Sequence, residues 1–163
     1  MKIIGIDPGL SGAIAVLDIK NGLLAVHDMP TMEVKIGSSM KRKINPALLT
    51  EMLRPIKPDH IYIERVAAMP GQGVTSMFNF GYGFGIVIGV VSALGYAHTL
   101  VGPRVWQAAV GSVSGKDGNR SRACELYPKS AGFFSRKKDD GRADATLIAH
   151  YGALSSYVKK ISD

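Results

Sequence analysis

The sequence contains very little cysteine, and that scarcity excludes two kinds of protein. Cys124 is the only cysteine among 163 residues, so the chain has no internal disulfide and no cysteine-rich zinc site. Such low cysteine usage fits a reducing compartment. The first residues, one lysine followed by an apolar run, lack the pattern of a secretory signal peptide. We therefore expect a cytoplasmic protein.

Charged residues are missing from a long central stretch. Residues 66–103 contain no Asp, Glu, Lys or Arg, so a membrane span has to be considered. The most apolar part, residues 84–97, is shorter than a membrane-spanning helix and is interrupted by glycines. The pattern favours a buried helix over about residues 74–94. Gly81, Gly85 and Gly89 lie four apart on one face of it, which allows another backbone to approach closely. That backbone belongs either to the protein's own sheet or to a second copy of the chain.

The overall composition is that of a basic globular protein. Apolar residues make up 46% of the chain, which is enough for a sizeable core. The length predicts one domain over residues 1–163. The formal charge of +7 and the pI of about 9.6 make a polyanionic partner plausible.

Alternating apolar runs and turn residues predict a mixed α/β fold. Strands are predicted at 2–7, 12–19, 23–29, 61–64 and 96–101, and helices at 46–54, 74–94, 103–110, 120–126 and 141–158. The first three strands read as an antiparallel meander. The fourth follows a helix and can therefore lie parallel to the first. Residues 31–44 read as an exposed basic loop, and residues 133–138 as an aromatic and basic loop.

Four carboxylates carry the main functional signal. Asp7 and Glu64 each end an apolar run, and Asp140 and Asp144 lie one helical turn apart. The carboxyl ends of parallel strands gather ligands in open α/β sheets, so these side chains can form one cluster. Such a cluster is costly unless a multivalent cation fills it.

Each of these acids also has an ordinary structural interpretation. Asp7 precedes Pro-Gly and would suit a turn. Glu64 could pair with a neighbouring arginine, either Arg65 or Arg142. Asp139 competes with Asp140 as the third acid of the cluster, and either could be a plain helix cap.

An all-carboxylate cluster suits hard divalent cations such as Mg²⁺ and the hydrolysis of phosphodiesters. These hard cations prefer oxygen ligands, and two of them about 4 Å apart can activate a water and stabilise the leaving oxygen. The histidines do not have the spacing of metal ligands. The sequence therefore predicts a metal-dependent nuclease with two ions in its active site.

The ordered motifs resemble the RuvC family of Holliday-junction resolvases, particularly its short phage and prophage members, within the RNase H-like superfamily. The resembling segments are Ile4–Gly9, Ile61–Glu64, Gly71–Val74 with Phe80-Gly81, Pro103–Gln107 with the loop to Lys116, and Asp140–Ala145. The resemblance covers nearly the whole chain. It implies an RNase H-like fold with a mixed five-stranded sheet, three strands in an antiparallel meander plus parallel strands, flanked by helices.

The resemblance also implies a function and a set of site residues. It implies a homodimer that binds four-way DNA junctions and nicks two strands symmetrically with Mg²⁺ or Mn²⁺. By position, the metal ligands would be Asp7, Glu64, Asp140 and Asp144, with Lys116 near the scissile phosphate. The alternatives are a nuclease for other branched DNA or for RNA, and a junction-binding protein without catalysis. A two-domain sugar kinase or chaperone-type ATPase is excluded, since 163 residues cannot supply both domains.

The chain departs from the family pattern at three places. Asp140 and Asp144 are four apart, whereas cellular resolvases commonly space these acids by three. Trp106 stands where many bacterial members have a lysine. Ala67 stands where some members carry an aromatic wedge, for which Met69 or Phe78 could substitute.

Basic residues near these motifs are expected to contact DNA phosphates. Such contacts give affinity and salt dependence without sequence readout. The candidates are Lys41, Arg42, Lys43, Lys116, Arg120, Arg122, Arg136, Lys137 and Lys138. Phe133 and Phe134 could stack on exposed bases or pack in the core.

Overall fold

The computed structural model describes residues 1–68, 71–112 and 116–162, with side chains described at 1–68, 71–112 and 117–156. Within these ranges the strands are β1 (Lys2–Asp7), β2 (Ala13–Asp18), β3 (Gly22–Asp28), β4 (Thr31–Ile36), β5 (Ser39–Ile44), β6 (His60–Glu64) and β7 (His98–Val101). The helices are α1 (Pro46–Leu53), α2 (Val74–Ala93), α3 (Pro103–Val110), α4 (Lys116–Leu126) and α5 (Asp140–Ser162). Short 3₁₀ helices span Pro128–Phe134 and Lys137–Asp139.

The main sheet confirms the predicted mixed α/β architecture. Its five strands lie in the order β3-β2-β1-β6-β7. The pairs β1–β2 and β2–β3 are antiparallel, whereas β1–β6 and β6–β7 are parallel. The meander and the parallel crossover after α1 are therefore both present. The parallel half brings the carboxyl ends of β1, β6 and β7 to one edge of the sheet.

Alternation along β1 divides the core into two layers. Ile3 belongs to a cluster on the α5 side, with Trp106 and Phe134. Ile4 and Ile6 belong to a cluster on the α1 and α2 side. Successive strand residues point to opposite faces, so a continuous apolar run serves both layers.

The helix starts follow local capping chemistry. Asn45 accepts a hydrogen bond from the Leu48 backbone N–H at 3.1 Å, and Pro46 occupies the first turn of α1. This arrangement confirms the predicted start of α1. By contrast, α4 begins at Lys116, four residues before the predicted start at Arg120.

Two segments predicted as loops are ordered. Residues 31–44 form the antiparallel hairpin β4–β5 rather than a loop, paired from Thr31↔Ile44 to Ile36↔Ser39. Its basic residues obscured the strand pattern, because both faces of a projecting two-stranded hairpin reach solvent. Much of 133–138 is 3₁₀ helix, and Phe134 is buried, so it packs in the core rather than standing ready to stack on bases.

Helix α2 contradicts the expectation of a buried helix. Only 11% of its most apolar window is buried, and the helix is long and apolar enough to cross a membrane by length and composition alone. Gly83, Val87 and Val91 face the core. The opposite face, which carries Phe78 and the three striped glycines, is exposed. The stripe therefore does not pack against the protein's own sheet.

Helix α5 lies directly against β1 because glycines remove the side chains between them. A Cβ atom at Gly5 would overlap the backbone of Ala145 and Ala149 on α5. A Cβ at Gly141 would overlap the backbone of Ser11 and Gly12, in the turn after β1. The backbones of α5 and β1 thus approach as closely as glycine permits.

We predict that Gly5→Ala destabilises the protein by roughly 1–3 kcal/mol or more, the usual cost of overpacking a close-packed core. The added methyl group meets backbone atoms that cannot move aside. Urea unfolding measures the effect. Gly132→Ala is the matched control, because no atom lies within 4 Å of its added Cβ. Equal stability of the two variants would contradict the close packing of α5 on β1.

Candidate active site

Asp7 and Glu64 lie at the ends of adjacent parallel strands. The register pairs Ile6 with Ile63, so the next residue on each strand carries a carboxylate at the same sheet edge. Neighbouring strands are about 4.8 Å apart, which places both side chains within reach of one ligand. The Gly9 backbone N–H donates to Asp7 Oδ1 at 3.1 Å and holds this carboxylate in the turn.

The first turns of α5 bring two further acids to this edge. The position of a Cβ at Gly141 lies 3.1 Å from Asp7 Oδ2, so the start of α5 covers the Asp7 carboxylate. Asp140 and Asp144 flank this contact on the same helix. Arg142, between them, donates two hydrogen bonds to Asp28 at the end of β3, at 2.6 and 2.8 Å. That pairing anchors α5 to the sheet and excludes the alternative of an Arg142–Glu64 pair.

The carboxylates are close enough to influence one another's ionisation. Burial raises the pKa of Asp7. Burial, with a smaller contribution from the charge of Asp7, raises the pKa of Glu64. Burial and the charges of Asp7, Glu64 and Asp140 raise the pKa of Asp144 to about 7. Since like charges and desolvation both oppose ionisation, the three strand and helix carboxylates form one electrostatic unit.

Asp140 and Asp139 differ in what holds them. Asp140 Oδ1 lies 3.1 Å from Arg120 Nε and forms an ion pair with it. Asp139 is 2% exposed and accepts both the backbone N–H and the guanidinium of Arg136. These bonds lower the pKa of Asp139 and commit it to capping a turn. Because Arg136 holds Asp139, Asp140 is favoured over Asp139 as the acid that faces the cluster.

Two neutral donors contact the cluster, and sequence reasoning did not assign either of them a role. The indole Nε1–H of Trp106 donates to Glu64 Oε1 at 3.0 Å. The amide of Asn119 donates to Asp144 Oδ1 at 2.7 Å. Trp106 was noticed only as a substitution for lysine, and Asn119 resembled an ordinary polar residue near a helix start. Their roles depend on tertiary contacts that local patterns do not encode.

The donor chemistry of the cluster fits a hard divalent cation. Its side chains offer carboxylate oxygens, the ligand type that Mg²⁺ and Mn²⁺ prefer. Among the described residues, no group of three or more Asp, Glu, His or Cys side chains is arranged in this structure so that it could hold a metal ion. The carboxylates thus lie near one another at an open edge of the sheet without forming a closed metal site in this structure.

The basic residues predicted to contact DNA fall into two groups. Arg120, Arg122 and Arg136 are engaged in ion pairs with Asp117 and Asp140, Glu125, and Asp139, respectively. Of the remaining described residues, Lys41 and Arg42 on β5 and Lys137 and Lys138 on the second 3₁₀ helix are exposed, and Lys43 on β5 is half-buried. The side chain of Lys116 lies outside the described residues, as does all of Met69.

Strand β5 extends the basic surface to the active-site turn. Arg42 donates to the hydroxyl of Ser11, which lies four residues after Asp7, at 3.0 Å. Lys43 donates to Asn79 on α2 and lies 5.1 Å from the ring centroid of Tyr82. The hairpin therefore bridges the turn after β1 and the first half of α2.

Comparisons with known proteins identify relatives of one kind. The crossover junction endodeoxyribonuclease RuvC of Carboxydothermus hydrogenoformans is 30% identical over 156 residues, covering 94% of this chain and 96% of that protein. The chloroplastic Holliday junction resolvase MOC1 of Chlamydomonas reinhardtii is 30% identical over 90 residues, which are 54% of this chain and 10% of that longer protein. No protein-family model matches the sequence.

Solved structures show the same fold at lower identity. RuvC of T. thermophilus in complex with Holliday junction substrate has a TM-score of 0.67 at 16% identity, over 97% of this chain and 96% of that one. The fowlpox virus Holliday junction resolvase has a TM-score of 0.51 at 16% identity, over 95% of this chain and 99% of the other. At this identity the likeness establishes the fold, which is the RNase H-like architecture expected from the sequence.

We predict that Asp144→Asn stabilises the metal-free protein at pH 8. A carboxylate whose pKa is raised by folding contributes stability below its ordinary pKa of 3.8, and that contribution is lost as the pH rises through about 7. Asparagine removes the buried charge, and its Oδ1 can still accept from Asn119. Each pKa unit corresponds to about 1.4 kcal/mol, so we expect a gain of at least about 1 kcal/mol.

Thermal unfolding in EDTA at pH 4 and pH 8 checks this expectation. The difference between variant and wild type should be larger at pH 8 than at pH 4. Glu51→Gln, on the exposed face of α1, serves as the control for removing a surface charge. A destabilised Asp144→Asn protein at pH 8 would contradict the electrostatic account.

Proposed function

This chain belongs to the RuvC family of crossover junction endodeoxyribonucleases, and from that premise we propose how its residues resolve four-way DNA junctions. The reaction is metal-dependent hydrolysis of one phosphodiester in each of two symmetric strands. The observation that carries the proposal is the convergence of Asp7, Glu64 and Asp144 from β1, β6 and α5 at one sheet edge. A junction-processing role also places the protein in the cell interior, where DNA is available.

The four predicted acids have distinct parts in this proposal. Asp7, Glu64 and Asp144 would hold the divalent cations, and Asp140 would complete the set once DNA drew Arg120 away. Two Mg²⁺ or Mn²⁺ ions would supply an activated water and stabilise the leaving 3′ oxygen. The carboxylates would position these ions at the strand ends, while α5 covers one side of the site. Lys116, which begins α4, is the candidate residue for contact with the scissile phosphate.

Arg120 links DNA binding to the completion of the site. It pairs with Asp117 and Asp140 in this structure. A phosphate competes for the same guanidinium, because charge-assisted bidentate contacts favour arginine. Transfer of Arg120 from Asp140 to the DNA backbone would leave Asp140 available to a cation. In this proposal the exchange gives Arg120 a role in DNA binding and Asp140 a role as a ligand.

The basic hairpin and the second 3₁₀ helix provide the surface for DNA. Lys41, Arg42 and Lys43 lie on one side of the turn after β1, and Lys137 and Lys138 lie toward α5. Phosphate contacts of this kind bring affinity without sequence readout. The substrate is then selected by the shape of branched DNA.

The exposed face of α2 is the candidate homodimer interface. Val74 is 86%, Phe78 73% and Tyr82 52% exposed, a combination that is unusual for apolar residues on one helix. Gly81, Gly85 and Gly89 lie on the same face with no atom near their Cβ positions. A second copy related by a two-fold axis could approach closely along this stripe, and two copies match the two-fold symmetry of the junction.

We predict that Asp7→Asn reduces Mg²⁺-dependent cleavage of a synthetic four-way junction by at least about a thousandfold. The asparagine Oδ1 can still accept from Gly9, so the turn is retained while one negative charge is lost from the metal site. Binding to the junction in EDTA should persist. Gel-shift and cleavage assays at one defined salt concentration measure both properties.

A panel of substrates separates the alternative functions. Junction, flap, Y-form and RNA duplex are compared with and without Mg²⁺, using wild type and Asp7→Asn. Full activity of Asp7→Asn would end the carboxylate model, and a strong preference for RNA would replace the resolvase assignment. Junction binding without cleavage in either Mg²⁺ or Mn²⁺ would instead support a non-catalytic role.

We also predict that Gly85→Glu yields a folded monomer. The added side chain meets no atom of its own chain, but it places bulk and charge on the proposed interface. Light scattering coupled to size-exclusion chromatography measures the change from dimer to monomer, and circular dichroism checks the helix content. Gly132→Glu, at an exposed glycine with no atom within 4 Å of its added Cβ, is the matched charge control. A dimer that survives Gly85→Glu would place the interface elsewhere.

A further inference from the structure

One segment between β7 and α5 supplies a separate neutral donor to each of two carboxylates in the cluster. Trp106 on α3 is 0% exposed and donates to Glu64 Oε1, and Asn119 on α4 is 7% exposed and donates to Asp144 Oδ1. We propose that Trp106 and Asn119 are positioning residues that fix the orientation of Glu64 and Asp144 for divalent-cation binding. This inference rests on the proposed metal-dependent function.

The hydrogen bonds fix one oxygen of each carboxylate and direct the other. Trp106 occupies Oε1 of Glu64, and Asn119 occupies Oδ1 of Asp144, so Oε2 and Oδ2 are left on the remaining side of each group. A buried indole N–H needs only one acceptor, which a backbone carbonyl could provide. In this fold the acceptor is instead a carboxylate that is itself half-buried at the strand ends. The hydrogen bond therefore affects the orientation of Glu64 as well as the packing of Trp106.

Asn119 is in turn oriented by a third polar group. The hydroxyl of Ser112 donates to Asn119 Oδ1. This bond turns the amide so that its NH₂ group, rather than its oxygen, faces Asp144. A carboxylate only accepts hydrogen bonds when ionised, so this orientation favours the charged form of Asp144. The hydrogen bond from Asn119 indeed lowers the pKa of Asp144 against the larger effect of burial.

Neutral donors have a different electrostatic effect from cationic ones. A lysine beside Glu64 would orient it but would also cancel one negative charge of the cluster. Trp106 and Asn119 orient their carboxylates and leave the full negative charge available to attract cations. Because Trp106 is completely buried, its contribution cannot pass through DNA contact. The expected consequence is a change in cation affinity with little change in DNA affinity.

The sole tryptophan makes this inference directly measurable. With one Trp in the chain, ¹⁵N-labelling of tryptophan gives a single indole resonance that reports on the Trp106–Glu64 bond. We expect this resonance to shift on addition of Mg²⁺ without DNA. The Mg²⁺ concentration at the midpoint of the shift should match the dissociation constant measured by calorimetry. The shift should be absent in Glu64→Gln. An indole resonance unchanged while calorimetry records Mg²⁺ binding would overturn the proposal, and so would the absence of any Mg²⁺ or Mn²⁺ binding.

Isosteric replacement separates orientation from packing. Biosynthetic exchange of tryptophan for benzothienylalanine changes only Trp106 and replaces its N–H by sulfur at nearly constant shape. Loss of a hydrogen bond that orients a metal ligand typically costs 10–100-fold in metal affinity or activity. We expect the half-maximal Mg²⁺ concentration for cleavage and the calorimetric dissociation constant to rise at least tenfold. The KM for junction DNA should change less than twofold.

Asn119→Leu tests the second donor with a side chain of similar size. Asn21→Leu is the matched control, because Asn21 donates the same type of amide bond to Asp18 at 3.0 Å in the β2–β3 turn. Thermal unfolding verifies that each protein is folded, and the analogue protein provides an independent readout if Asn119→Leu does not fold. Calorimetric affinities within twofold of wild type for the analogue protein would overturn the inference.

The design distinguishes this inference from the proposed function. The resonance and calorimetric experiments require no DNA. A wild-type protein that binds Mg²⁺ through the indole-linked site, but cleaves no branched DNA, would refute the proposed function and leave the positioning role intact. If the protein cleaves branched DNA and the analogue protein has unchanged metal affinity, the proposed function stands and the positioning role is refuted.

Discussion

The close approach of α5 to β1 is the constraint on which the site depends. Glycine at positions 5 and 141 allows helix and strand backbones to meet where any side chain would separate them. A separation larger by one methyl group would move Asp144 away from Asp7 and Glu64. The Arg142–Asp28 pair fixes the same helix to β3, the last strand of the meander. Tight packing thus sets the spacing of charges that would otherwise move apart.

That packing brings negatively charged groups together, which is electrostatically unfavourable in the folded protein. Burial raises the pKa of Asp7, Glu64 and Asp144, and the charge of Asp7 raises the pKa of Glu64 and Asp144 further. Protein interiors resist such accumulation of like charge unless protons or cations compensate it. In the proposed function, the same accumulation of negative charge would attract divalent cations. Stability without metal and affinity for metal are therefore expected to oppose each other in this fold.

The sequence predicted the elements of the site better than their surroundings. Apolar runs ending in Asp7 and Glu64 sufficed to place two acids at the ends of parallel strands, because strand pairing follows from local pattern and connection length. The i, i+4 spacing placed Asp140 and Asp144 on one helix, but not the Arg120 pair that holds Asp140. Trp106 and Asn119 could not be assigned, since their partners lie 42 and 25 residues away. Helix α2 was expected to be buried because composition does not distinguish a core helix from one with an exposed apolar face.

The exposure of α2 becomes intelligible when the site is considered together with its substrate. A four-way junction presents two equivalent strands, so a single active site can cut only one of them at a time. Helix α2 follows β6 in the chain, and its contact with the core through Val87 and Val91 connects its position to that of the sheet. A second copy held along the glycine stripe would fix the distance between two acidic edges through rigid elements alone. The apolar surface that is unfavourable in an isolated chain would then define the spacing of the paired cuts, which is why we assign it to a contact between copies rather than to the core.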